Sequence, residues 1–176
     1  GASVMNPAVL KQYTTPVWFM TSSELFFILS EAAHTGMIPG GEAAAEAYYE
    51  QAVTNSIRQW NPSISDANID RFLHGTGSKA AYDGTLERII QQKWVSVFMQ
   101  GFEAWCDYRR TGYPTLEIGP ACENKNANGV ATLPTRLCYP TISQTANEVQ
   151  YRAAVERMGG KDDMLTKVWW ASGTNY

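Results

Sequence analysis

Glu87 to Leu116 reads ERIIQQKWVSVFMQGFEAWCDYRRTGYPTL, and this stretch decides the fold. With Leu86 just ahead of it, Ile89, Ile90, Trp94, Val97, Phe98, Gly101, Phe102, Trp105 and Tyr108 fall on steps of three and four. That is the spacing of one face of an α-helix. It predicts a single long helix from about Thr85 to Arg110 with this stripe buried. Arg109 and Arg110 fall in the last turn, where cations complement exposed carbonyls, Gly112 suits a left-handed stop, and Pro114 prevents continuation.

Upstream, Thr21 followed by Glu24 is a capping-box signal for a helix whose apolar face is Leu25, Phe26, Ile28, Leu29, Ala32 and Ala33. Gly36 ends it before the Pro39, Gly40, Gly41 turn. Glu42 to Trp60 then carries a second stripe of Ala45, Tyr48, Tyr49, Ala52, Val53 and Ile57, closed by Pro62. Two helices joined by a short Gly/Pro turn read as a helical hairpin of the tetratricopeptide kind, and such units need neighbours to bury a continuous core. Ser65 to Leu73 adds a short helix. After Pro114, Gly, Pro, Asn and Thr dominate as far as Pro140, which predicts an irregular, loop-rich segment. A final helix is expected from about Thr145 to Met158, stopped by Gly159 and Gly160. The fold class is all-α.

Composition narrows the function. A chain of 176 residues, 44% hydrophobic, can bury the core of one globular domain. A formal charge of -3 and a pI near 5.4 offer no basic surface to a phosphate backbone, and no apolar run approaches the roughly 20 residues that span a bilayer.

Candidate sites are few. Glu103 and Asp107 lie one helical turn apart, whereas glycoside hydrolysis needs two carboxyls on opposite sides of the bond, so a structural charge network with Arg109 and Arg110 is the better reading. Those arginines have a rival role as receptors for an acidic sugar. His34 and His74 are in no metal-ligand spacing and read as helix-end residues; no metal site is expected. Gly75 to Lys79 is glycine-rich, but it follows a helix where a phosphate loop follows a strand, so a helix stop is expected. No G-x-S-x-G occurs. Six Trp, nine Tyr and six Phe would suit stacking on sugar rings. Most belong to predicted stripes, leaving Trp60, Tyr82 and Tyr113, at helix ends or in loops, as ligand-binding candidates.

Ala104 to Leu116, AWCDYRRTGYPTL, resembles the A-W-x-D-x-R-R-T-G-x-P-x-L segment of the SusD/RagB family of bacterial cell-surface nutrient-binding lipoproteins. Leu133 to Pro140, LPTRLCYP, resembles that family's P-x-R-x-x-Y-P, and Asp162 to Trp170, DDMLTKVWW, its D-x-x-x-T-K-x-W-W. Phe19 to Gly36 is similar to its E-x-x-F-x-x-A-E-A-x-x-x-G helix, with Ser30 where alanine is usual. Trp105, Asp107, Arg109, Arg110, Trp169 and Trp170 are then structural motif residues.

The resemblance implies a single domain, residues 1–176, forming the C-terminal part of a larger outer-membrane lipoprotein anchored through a lipid outside this portion. That protein would bind glycan or other nutrient oligomers and deliver them to a TonB-dependent, SusC-like transporter, with no cofactor and no bond chemistry. The alternatives are a transporter-docking helical scaffold without its own ligand site, or a glycan-degrading enzyme. Cys106, inside the long helix, is expected to be a small packed residue. Cys122 and Cys138 flank the polar loop at a spacing that allows an oxidised pair, which the implied surface location would permit; two unrelated thiols are the other reading.

Overall fold

Thr21 starts the first helix as its sequence context predicts. Its hydroxyl accepts the Glu24 N–H at 3.1 Å, satisfying one of the amides that a helix N-terminus leaves unpaired. The computed structural model describes residues 13–14, 16–119, 122–168 and 171. Among these the regular structure is helical: α1 Ser22–His34, α2 Gly41–Trp60, α3 Asp66–His74, α4 Leu86–Ser96, α5 Gly101–Thr111, α6 Thr141–Ala146 and α7 Glu148–Arg157. Its one departure is an isolated antiparallel bridge between Lys125 and Ala131. The fold is all-α, with the expected hairpin formed by α1 and α2. The chain separates into two compact units, Gly1–Pro114 and Thr115–Tyr176.

In the first unit Phe27, Tyr49, Ala52, Val53, Ile69, Leu73 and Ile89 form the core, drawn from α1 to α4. The hairpin packs through a different face of α1 from the one its apolar residues suggest. Leu25 and Ile28 are exposed, while Ser23, Glu24, Phe27, Ser30 and Ala33 are buried. Two serines explain the rotation. Ser23 Oγ donates to the Ala52 carbonyl and Ser30 Oγ to the Ala45 carbonyl, each at 2.8 Å, so small side chains let α1 and α2 approach and still satisfy their own hydroxyls. Ser30, the departure from the family pattern, is thus an interhelical hydrogen bond. Ser30→Ala is expected to cost about 1 kcal/mol, the net worth of such a bond. Ser30→Leu, which must force the helices apart, should cost about 1–3 kcal/mol in urea unfolding.

The predicted long helix is broken. α4 ends at Ser96, Val97 to Gln100 turn, and α5 begins at Gly101. A distant ion pair accounts for the break: Lys93 Nζ lies 2.8 Å from Asp107 Oδ2, whereas 14 residues along one helix would separate them by roughly 21 Å. The chain has to fold back. With two axes the apolar stripe no longer shares one face, so Ile89, Ile90 and Val97 are buried while Trp94, Phe98 and Phe102 are exposed. Cys106, expected to pack inside, is exposed as well. Gly112 closes α5 with φ +78°, a left-handed conformation that favours glycine.

The second unit is loop-rich, as its composition predicts. Asn126 N–H donates to Val130 O and Thr132 N–H to Asn124 O, both at 2.9 Å, bracketing the Lys125–Ala131 bridge. The expected final helix is two: α6 starts behind Pro140, and Asn147, with φ −138°, interrupts the path into α7. The Cys122–Cys138 bridge is not formed. Both thiols are free; Cys122 Sγ is 3.5 Å from the Asn124 carbonyl and Cys138 Sγ 3.5 Å from the Asp162 carbonyl, so each is engaged with a different stretch of backbone.

Candidate functional site

The polar interior of the first unit is built from α1, α4 and α5. Asp107, one side of the carboxylate pair weighed for catalysis, has its side chain 6% exposed and is held by Lys93 Nζ and by Arg110 Nη2 at 3.0 Å. Arg110 in turn clasps both carboxylate oxygens of Glu31, with Nη2 to Oε2 at 2.8 Å. This clasp ties α5 to α1. Arg109 lies over the Trp105 ring, 4.4 Å from its centroid. A carboxylate paired with two fixed cations is held as a structural group. Nearby Glu24 is pushed up from its ordinary value by burial, which Lys93 only partly offsets.

The second unit has its own lock. Arg136, 7% exposed, donates through Nη1 to Asp162 Oδ1 at 2.6 Å and to the Asp163 carbonyl at 3.1 Å, and its guanidinium lies 5.1 Å from the Tyr139 ring centroid. The Tyr139 N–H and the Tyr151 hydroxyl each donate to Asp162 Oδ2 at 3.2 Å. Two of the matched motifs, LPTRLCYP and the DDMLTK start of the last one, are therefore halves of a single network. Trp169 and Trp170 lie outside the described residues.

The three aromatic ligand candidates are not brought together. Tyr82 packs on Tyr49 with centroids 5.2 Å apart and donates to Glu42 Oε2 at 2.7 Å, beside the first half of α2. Trp60 is the last residue of that helix, 18 positions beyond Glu42, or roughly 27 Å along the axis. Tyr113, half-buried, follows α5 and its N–H donates to Thr111 Oγ1. Trp60 makes edge contacts with Trp18 (5.1 Å) and Phe98 (6.2 Å). Within that cluster Phe98 is 55% exposed, and Phe19, next to Trp18 in sequence, is 93% exposed, so large apolar side chains are left uncovered there.

A shallow cleft of about 460 Å³ lies elsewhere, where α3 runs into the glycine-rich loop read above as a helix stop. It is lined by Arg71 and Phe72 from α3, by the loop as far as Ala80, and by Gln92 from α4. The stop is real, with the Gly75 N–H donating to Arg71 O at 2.9 Å. The cleft is what the sequence reading missed. Among the described residues no group of three or more His, Cys, Asp or Glu is placed to hold a metal ion, and no helix is long and apolar enough to cross a membrane.

Residues 2–140 match the SusD-like family described as starch-binding associating with outer membrane. The chain belongs to that family. Its members are binding proteins associated with the outer membrane in Bacteroidetes, and glycan or nutrient binding is established at the family level. Among curated proteins no match was found. Among solved structures, this SusD-like chain is similar to a chitin-binding protein at 34% identity and TM-score 0.69, covering 85% of this chain and 32% of that one. It is also similar to a SusD homologue from Bacteroides fragilis (30%, TM-score 0.64, 86% and 34%). A chitin-binding SusD homologue from Flavobacterium johnsoniae matches at 25% (TM-score 0.67, 88% and 36%). The chain thus spans about a third of the length of these structures.

Proposed function

We propose that this chain is the C-terminal portion of a longer cell-surface lipoprotein that captures glycan or other nutrient oligomers and delivers them to a TonB-dependent transporter, without cleaving them. The observation that carries this reading is the 34% identity to a chitin-binding protein across 85% of the chain. The fold supports it. Asp107, Arg110, Glu31, Arg136 and Asp162 of the family motifs are engaged in ion pairs that hold helices and loops, which supports a rigid platform. The apolar surface around Trp60 supports the portion reading, its cover being the remainder of the same longer polypeptide, since the matched structures are about three times as long.

Labelled protein applied to an array of chitin, plant, host and microbial oligosaccharides is expected to be retained by at least one glycan class. Retention by none would favour the transporter-docking scaffold, whose ligand site lies outside this chain.

A further inference from the structure

We propose that the cleft formed by Arg71, Phe72, the Gly75–Ala80 loop and Gln92 is a subsite for an anionic sugar unit, a uronate or a sulfated residue of a glycan chain. It deepens the glycan-binding reading and rests on it.

The first argument is charge. Most cations of the chain with a described setting are already engaged: Arg58, Arg88, Lys93, Arg110, Arg136 and Arg152 with carboxylates, Arg109 with Trp105. Arg71 and Lys79 are exposed, line one cleft, and pair with no carboxylate among the described residues. In a protein of net charge -3, two unpaired cations in one concavity make a local anion preference. A planar guanidinium can hold a carboxylate or sulfate by two parallel hydrogen bonds, with the ammonium as a second point of charge.

The second is the apolar element. Phe72 is 47% exposed beside Arg71, offering a flat ring on which the C–H face of a pyranose can lie. Gln92, half-buried on α4, supplies amide donors and an acceptor for hydroxyls. Polar groups around one aromatic ring, in a shallow cleft of about 460 Å³, offer a sugar unit both a stacking face and hydrogen-bond partners.

The third is rigidity. The loop is pinned from both sides: Tyr49 donates its hydroxyl to Ala80 O at 2.6 Å, Arg88 donates to Lys79 O, and Ser78 donates its hydroxyl to Phe72 O. Gly75 is required where it stands, because a Cβ there would meet Arg71 O at 2.3 Å, and Gly77 has φ +76°. The loop and its cations are therefore held in place before any sugar arrives, which lowers the ordering cost of binding.

The test is calorimetric titration of the whole chain with four tetrasaccharides: galacturonate, its carboxyl-reduced galactose counterpart, a sulfated galactose and chitotetraose. Galacturonate or sulfated galactose is expected to bind at least about tenfold tighter than reduced galactose, as a charge-assisted contact allows. Arg71→Gln and Lys79→Gln should each weaken that anionic ligand several-fold, and Phe72→Ala should weaken it and the neutral galactose alike. Arg152→Gln, a charge change in the second unit, should alter nothing. Circular dichroism of each variant checks that helicity is kept. Equal affinity for anionic and reduced sugars, or anionic binding untouched by all three cleft variants, overturns the subsite. If chitotetraose still binds in that case, the glycan-binding reading survives; if no sugar binds at all, both fall.

Discussion

Arg136→Ala is expected to destabilise the Thr115–Tyr176 unit by about 3–5 kcal/mol, the cost of breaking a buried ion pair by removing one partner. The Asp162 side chain is 6% exposed, so without the guanidinium it would be a buried charge with only the Tyr139 N–H and the Tyr151 hydroxyl to solvate it. The Asp163 carbonyl would lose its donor too, and Tyr139 the cation over its ring. Loss of amide hydrogen-exchange protection in α7 and after Gly160, with α1 to α4 unaffected, checks this. The same contact fixes a pH dependence. Burial alone would raise the Asp162 carboxyl, but Arg136, the Tyr139 amide and Tyr151 hold it below its ordinary 3.8. Its contribution is therefore present above about pH 3.8 and is lost as pH falls through the lowered native value. The acid limb of the unit's unfolding curve should flatten in Arg136→Ala.

Lys93→Met has a comparable expected cost in the first unit, again about 3–5 kcal/mol. Asp107 would keep Arg110 but lose the ammonium that lies 2.8 Å from Oδ2, and the carboxyl of Glu24 would lose its main favourable charge. Removing both charges tells the pair's worth apart from the penalty of leaving one stranded. Lys93→Met with Asp107→Leu should recover much of the loss, although Arg110 then keeps only Glu31. A double variant as unstable as the single one would show that the network carries net stability. Urea midpoints at constant m-value read the difference.

How much of this was legible in the sequence depends on the range of the interaction that decides each element. The α1–α2 hairpin was legible because Thr21, Glu24, Gly36, Pro39 and Pro62 act on their immediate neighbours. The buried face of α1 was not, since Ser23 and Ser30 look polar until the α2 carbonyls they meet are in view. The break after Ser96 was hidden for the same reason: spacing alone favours one long stripe, and the pair that folds the chain back joins residues 14 apart. The family resemblance marked Asp107, Arg109 and Arg110 as structural, but only packing identifies Glu31 as the Arg110 partner and pairs Arg136 with Asp162.

The cleft left a faint trace. Arg71 has no acidic residue three or four positions away on its helix, where an ion-pair partner belongs, and a glycine-rich loop that ends in a second cation, Lys79, follows that helix. Following a helix where a phosphate loop follows a strand, that loop gives no further sign of a site in the sequence.

On the proposed function, this SusD-like chain binds glycan without transforming it. The most direct measurement is mass spectrometry of the best array ligand after prolonged incubation with saturating protein, alongside equilibrium dialysis of the same mixture. The account predicts saturable binding with the oligosaccharide recovered intact; shorter products whose formation is abolished by a single Asp or Glu substitution would contradict it.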